Sequence, residues 1–171
     1  METWDAITAR RSVRHYLDKP IPEEDLHRIL EAGRRAPSSV NQQRWDFVVV
    51  TGRDRLRQLA KVWRGGRHVA SSAATIALVV PDTDDPDTRE SIGFDLGQAA
   101  MSMQIAAADL GIGTGHSAVR DKDLCSRLLK YPQDRTCVYL LVLGYPADRP
   151  LQPIRSLKRR PFDGVVHFGR W

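Results

Sequence analysis

The segment Ala74–Val80 (ATIALVV) constrains the fold of this chain more than any other. It lacks the alternation of a half-buried strand, so both of its faces are apolar. A strand of that kind belongs in the middle of a sheet covered on both sides. Two more segments read as strands: Trp45–Thr51 (WDFVVVT) and Thr136–Gly144 (TCVYLLVLG), both rich in aromatic and β-branched residues. Helical periodicity separates them, which places the chain among layered α/β or α+β domains.

Thr3 is expected to cap a short helix reaching Arg10, with Trp4 and Ile7 on its inner face. Ile21-Pro22-Glu23-Glu24-Asp25 is a helix start, with proline at a tolerated position and acids at the positive end. Leu26, Ile29, Leu30 and Gly33 carry that helix to about Arg35. Arg53–Trp63 reads as a helix and Pro81–Asp87 as an acidic loop. Arg89–Leu110 reads as the longest helix, buried on most sides. Gly111–Gly115 is expected to end it as a glycine loop. Asp121–Lys130 reads as a short helix. Residues 146–171 have no helical period, yet Phe162, Val165, Val166, Phe168 and Trp171 make them too apolar for a free tail, which favours an extended arm on another surface.

At 171 residues, with 42% hydrophobic and 27% charged, the chain fits a single domain over 1–171 and excludes disorder, collagen and coiled coil as whole-chain readings. No apolar run is long enough to span a membrane, and the first residues lack the basic-then-apolar pattern of a signal peptide. Cys125 and Cys137, the only cysteines, have no metal-binding spacing, so a reduced cytoplasmic protein is expected. The net charge of +5 admits an anionic partner, either nucleic acid or a phosphate-bearing cofactor.

Four constellations could carry chemistry. In Arg10-Arg11-Ser12-Val13-Arg14, three guanidiniums and a hydroxyl could grip a phosphate, or form a solvated basic turn. Ala36–Trp45 (APSSVNQQRW) offers hydroxyl and amide groups beside a tryptophan, suited to a polar aromatic ligand or to an ordinary helix stop. Gly113, Thr114 and Gly115 allow close approach to a ligand, but they follow a helix and so make no dinucleotide fingerprint. Lys158-Arg159-Arg160-Pro161 is either a solvated face or a second phosphate clamp. No nucleophile elbow, zinc-binding helix motif or P-loop is present, and the five histidines are scattered. An enzyme built this way leaves its chemistry to a cofactor.

Taken in order, Ala9–Val50, Asp95–Thr114, Leu141–Pro146 (LVLGYP) and Lys158–His167 (KRRPFDGVVH) resemble the FMN-dependent nitroreductase family. The pair RRSVR and APSSVN, about 25 residues apart, carries most of the resemblance. It implies an α+β fold: a three-layer α/β/α arrangement around a central, mostly antiparallel mixed sheet. It also implies an intertwined homodimer whose C-terminal arm, residues 146–171, crosses to the partner. By the same resemblance Arg10 and Ser12 hold the FMN phosphate with help from Arg11, and Arg14 lies along one edge of the flavin. Lys158 and Arg160 also reach the phosphate. Pro37, Ser38, Ser39 and Asn41 line the ring from the other subunit, and Gly113, Thr114 and Gly115 bring backbone groups to it. Arg67 is a candidate by position only. Arg44 stands where the family often has proline, and His116 and Ser117 stand where larger apolar residues are frequent.

The activity so implied is ping-pong hydride transfer from NADH or NADPH to a small-molecule electron acceptor such as a nitroaromatic or a quinone, with no nucleic acid or membrane partner. Two alternatives remain at this stage. One is an FMN-binding member with a storage, sensing or single-metabolite role. The other is a basic nucleic-acid-binding module, for which aromatic interleaving and a recognisable DNA-binding motif are lacking.

Overall fold

The computed structural model describes residues 1–154 and 158–171. Helix α1 (Thr3–Ala9) leads through an extended segment to α2 (Glu23–Arg34), then to strand β1 (Asp46–Val50). Next come α3 (Arg53–Leu59), α4 (Arg67–Ala70), β2 (Ala74–Pro81), the 24-residue α5 (Pro86–Asp109) and β3 (Gly113–Ala118). Helix α6 (Lys122–Leu129) and β4 (Arg135–Gly144) complete the core.

The four strands lie in the order β1-β2-β4-β3, every pair antiparallel. Among the described residues, the parallel component expected of a mixed sheet is confined to a single bridge, Ser12 to Thr114. As its composition demands, β2 is central and buried along Ala74–Val80. Consecutive residues of β4 serve opposite faces. Leu141 and Leu143 meet Ile76, Ile29 and Met103 under α2 and α5, while Leu140 and Val142 meet Leu56 and Cys125 under α3 and α6. Burying each of these leucines contributes about 1.5–3 kcal/mol, which ties both helical layers to one strand.

Several elements differ from the sequence expectation. Thr3 lies inside α1 and caps nothing; Glu2 takes the capping position without a side-chain bond. Trp4 and Ile7 face outward, and Ala6 and Ala9 are the buried residues. Small side chains let α1 lie close to α5, where Ala9 packs on Ala108. Helix α5 begins at Pro86, three residues early, because Asp85 caps it by accepting the Thr88 N–H at 2.8 Å. It also leaves Gly93, Phe94, Gly97 and Met101 exposed along one stripe. The stretch Arg53–Trp63 tightens into a 3-10 turn after Leu59, and α4 was not foreseen.

The largest difference is β3. Gly113-Thr114-Gly115 is an edge strand paired to β4, with Gly113 opposite Gly144 and His116 opposite Leu141. Glycine, serine and alanine carry little strand preference, so pairing with an apolar neighbour outweighs local propensity here.

Candidate active site

The segment after α1 is laid on β3 by backbone bonds. Val13 N–H donates to the Thr114 carbonyl at 2.8 Å, beside the Ser12–Thr114 bridge. Val13 is buried, and the phenol of Tyr16 donates back to the Val13 carbonyl at 2.7 Å. The glycines of β3 permit this approach. A Cβ at Gly115 would lie 2.5 Å from the Val13 carbonyl oxygen, and one at Gly113 would lie 2.6 Å from the Val13 side chain. Their missing side chains are thus accounted for by packing within the chain.

This arrangement separates the three arginines. Arg11 turns to the start of the tail, donating to Asp148 at 2.8 Å and to the Arg149 carbonyl at 2.7 Å. That pairing holds the Asp148 carboxyl down at about 2. Arg10 donates one Nη1 bond, at 3.1 Å, to Gln104 of α5. Among the described residues neither Arg10 nor Arg14 has a carboxylate partner. Ser12 and Arg14 are exposed beside them. Two uncompensated guanidiniums and a hydroxyl on one strip are donors that could hold an anion with several acceptor oxygens.

Behind the strip lies a polar chain, buried except for the exposed His116, that the sequence did not disclose. Gln104 and Thr114 are both buried. Gln104 Oε1 accepts from Arg10 and, at 3.5 Å, from the Thr114 hydroxyl, and its Nε2 meets His116 Nε2 at 3.3 Å. The His116 carbonyl meets Nε2 of His68, a buried residue of α4, at 3.2 Å. Desolvation, together with the Arg10 and Arg14 charges, pushes the His116 imidazole below its ordinary pKa. Desolvation and Arg14 also push His68 down, partly opposed by its bond to the His116 carbonyl. A mostly apolar cavity of about 410 Å³ runs between α5 and β4, with His116 and Tyr139 in its wall. A glutamine on the alanine-rich face of α5, in line with Ala100 and Ala107, was the available sign of this chain.

Pro37, Ser38, Ser39 and Asn41 form a second site on the same chain. The Ser39 N–H donates to Asp95 of α5 at 2.9 Å, and the Ser38 hydroxyl accepts the Gln43 N–H at 2.9 Å. Asp95 is buried, an acid on the core face that Ile92, Leu96 and Ala99 define. Val40, Asn41 and Gln43 all have left-handed backbone, with φ of 49°, 56° and 49°. Such a run of non-glycine residues stores strain, a feature that concentrates in ligand-binding loops. Pro37, Ser38 and Ser39 border a cleft with Phe94 and Gln98, and among the described residues this loop shares no hydrogen bond with the Arg10–Arg14 strip.

The tail divides in two. Residues 146–154 return along their own chain: Ala147 N–H donates to the His15 carbonyl, Ile154 N–H to the Thr8 carbonyl, and Leu151 packs with Ala9 and Val13. Beyond residues 155–157, Lys158 is exposed and Arg160 bonds the Gly164 carbonyl; neither shares a hydrogen bond with Arg10 or Arg14. Phe162, Val165, Phe168 and Trp171 are exposed. Arg67 is exposed on α4. No cluster of potential metal ligands occurs among the described residues, and no described helix is long and apolar enough to cross a membrane.

The sequence pattern of the nitroreductase family matches residues 7–67. A protein of Methanothermobacter thermautotrophicus that carries the provisional name NADH dehydrogenase/NAD(P)H nitroreductase is 33% identical over 157 residues, spanning 88% of this chain and 80% of its own. The FMN reductase (NAD(P)H) of Bacillus subtilis is 30% identical over 186 residues, spanning 97% of this chain and 73% of its own. Nitroreductase A of Vibrio parahaemolyticus shares the fold, with a TM-score of 0.84 and 27% identity over 97% of this chain and 74% of that one. This chain belongs to the nitroreductase family.

Proposed function

We propose that the chain is an FMN-dependent oxidoreductase that takes hydride from NADH or NADPH and passes electrons to a small acceptor by a ping-pong cycle. The observation that carries this reading is the uncompensated pair Arg10 and Arg14 beside the Ser12 hydroxyl. A phosphate brought there meets donors that no carboxylate of the strip already occupies. The Nη2 and Nε groups of Arg10 have no partner among the described residues, so Arg10 can bind phosphate without releasing Gln104. FMN supplies the two-electron chemistry that no side chain here offers.

In this reading Arg10 and Ser12 hold the phosphate, and Arg14 lies along the ring edge. Arg11 acts indirectly, fixing the start of the tail through Asp148. Thr114, between Gly113 and Gly115, anchors the strip. Pro37, Ser38, Ser39 and Asn41 come from the second subunit of a homodimer, and Lys158 and Arg160 reach the phosphate along the crossing arm. The apolar surface exposed by Trp4, Phe94, Met101, Phe168 and Trp171 supports that assembly. The acceptor is a nitroaromatic, a quinone or a free flavin, and the reduced cysteines suit the cytoplasm.

Purified protein should be yellow, with absorbance at about 450 nm, and should elute as a dimer. Anaerobic NADH or NADPH should bleach it, and an acceptor should restore the colour. Colourless protein that takes up no added FMN would refute the proposal.

A further inference from the structure

We propose that Gln104 is a positioning residue: locked by Arg10, it holds the His116 imidazole neutral with its proton on Nδ1, placing one fixed hydrogen-bond donor beside the arginine strip. The Arg10 guanidinium has donors and no acceptor. The amide atom of Gln104 that meets it at 3.1 Å must therefore be the carbonyl oxygen. The Thr114 hydroxyl approaches the same oxygen. The amide nitrogen is then forced toward His116, where it stands 3.3 Å from Nε2. An amide N–H can only donate, so His116 Nε2 must accept. The single proton of the neutral ring goes to Nδ1, the reverse of the form that free histidine side chains favour.

The surrounding charges act in the same direction. Arg10 and Arg14, from the segment after α1, oppose an imidazolium. From α4, His68 contacts only the His116 carbonyl; from β4, Tyr139 offers a ring edge at 6.5 Å between centroids. No carboxylate bonds the ring among the described residues. Nδ1 has no partner there either, and His116 is solvent-facing in the wall of the apolar cavity beside α5. The proposal rests on the FMN reading only for the ligand this donor meets. Along the oxidised isoalloxazine edge the two carbonyl oxygens, N1 and N5 are acceptors, and N3–H is the one donor.

The test uses the full chain labelled with nitrogen-15. Long-range proton–nitrogen spectra report which ring nitrogen of His116 carries the proton, with no ligand needed. The parent chain should show Nδ1–H. Gln104→Glu puts an acceptor where the donor stood, and should move the proton to Nε2 and raise the titration midpoint by about one pH unit or more. Arg10→Met leaves the buried helix face untouched, frees the amide to flip, and should also lose the Nδ1–H bias. An Nε2–H ring in the parent, or a ring unchanged in both variants, overturns the positioning role.

The donor role is read by titrating FMN into cofactor-stripped protein and following its fluorescence. His116→Phe should weaken binding about three- to tenfold, while His116→Asn, whose amide N–H replaces Nδ1–H, should stay near the parent. Equal affinities in the parent and His116→Phe overturn the donor role. No FMN binding by the parent overturns the reading of the site, whereas the nitrogen spectra decide the tautomer independently.

Discussion

Val13 and Thr114 are joined by one backbone hydrogen bond of 2.8 Å, and through it the arginine-bearing segment is carried by the rigid sheet. A bare loop holding three arginines would let them spread apart in water. Fixed along β3, Arg11 points to the tail, while the charges of Arg10 and Arg14 both act on His116 and neither has a carboxylate partner among the described residues. In the proposed function, an anion bound at this strip would offset the repulsion between its like charges, linking ligand binding to folding of the segment.

Gly115→Ala tests that dependence. Its Cβ would stand 2.5 Å from the Val13 carbonyl, and both strands of the contact are backbone, so neither can yield cheaply. Overpacking of this kind costs about 1–3 kcal/mol. Urea unfolding should show a lowered midpoint with an unchanged slope, and FMN affinity should fall with it. A variant as stable as the parent would show that the segment does not need β3.

How much of this was legible follows from which signals are local. The central position of Ala74–Val80 could be read because a strand buried on both faces has a composition of its own. The start of α2 was legible because Pro22 and three acids act within one turn. β3 was hidden, since Thr114 is the one strand-favouring residue in Gly113–Ala118 and the β4 edge decides the pairing. The roles of Arg10 and Arg11 also could not be told apart, because the residue that separates them, Asp148, lies 137 positions away from Arg11. Gln104, Asp95 and His68 were missed for the same reason: a buried polar residue shows its purpose only beside its partner. Asp95, on the core face of α5, was the most visible of the three, since an acid there calls for a donor, which Ser39 provides.

Val40 offers a prediction of the opposite sign. It is 90% exposed and holds φ of 49°, a region that disfavours a β-branched residue by about 1–2 kcal/mol. Asparagine tolerates this backbone and loses no packing there. Val40→Asn should raise the urea midpoint by the equivalent of about 0.5–1 kcal/mol. A lowered midpoint would mean that the side chain is covered in the assembled protein, which a gel-filtration comparison of the two variants would reveal.

The two histidines behind the strip fix a pH window. Both His68 and His116 are held below the ordinary histidine pKa in the folded chain, while the unfolded chain titrates near 6.5. Between those values the unfolded state binds more protons, so stability is complete well above 6.5 and falls as pH drops below it through the depressed folded-state values. The depressed carboxyls of Glu31 and Asp148, both at about 2, act only at lower pH, below about 4.5. Urea midpoints at pH 7.5 and 5.5 should differ in the parent, and the difference should shrink in a His68→Gln/His116→Asn variant. Equal midpoints in the parent would remove this account.

Arg11 and Arg14 should fail in different ways when truncated. Arg11 makes two charge-assisted bonds and its side chain is only 14% exposed, so Arg11→Ala leaves the Arg149 carbonyl and Asp148 without their donor. Its main effect should be on stability, seen as a lowered urea midpoint, and moderate in size because water can reach both acceptors. Arg14 is exposed and has no hydrogen-bonded partner among the described residues, so Arg14→Ala should leave the urea midpoint within about 0.5 kcal/mol of the parent. FMN affinity should nevertheless fall about tenfold or more, because a cation facing the ligand is gone and water replaces it. Raising the salt concentration should weaken FMN binding to the parent more steeply than to the variant, since one fewer charge is there to be screened. If Arg14→Ala instead unfolds early and binds FMN as the parent does, Arg14 supports the fold, and the anion site must be sought elsewhere on the chain.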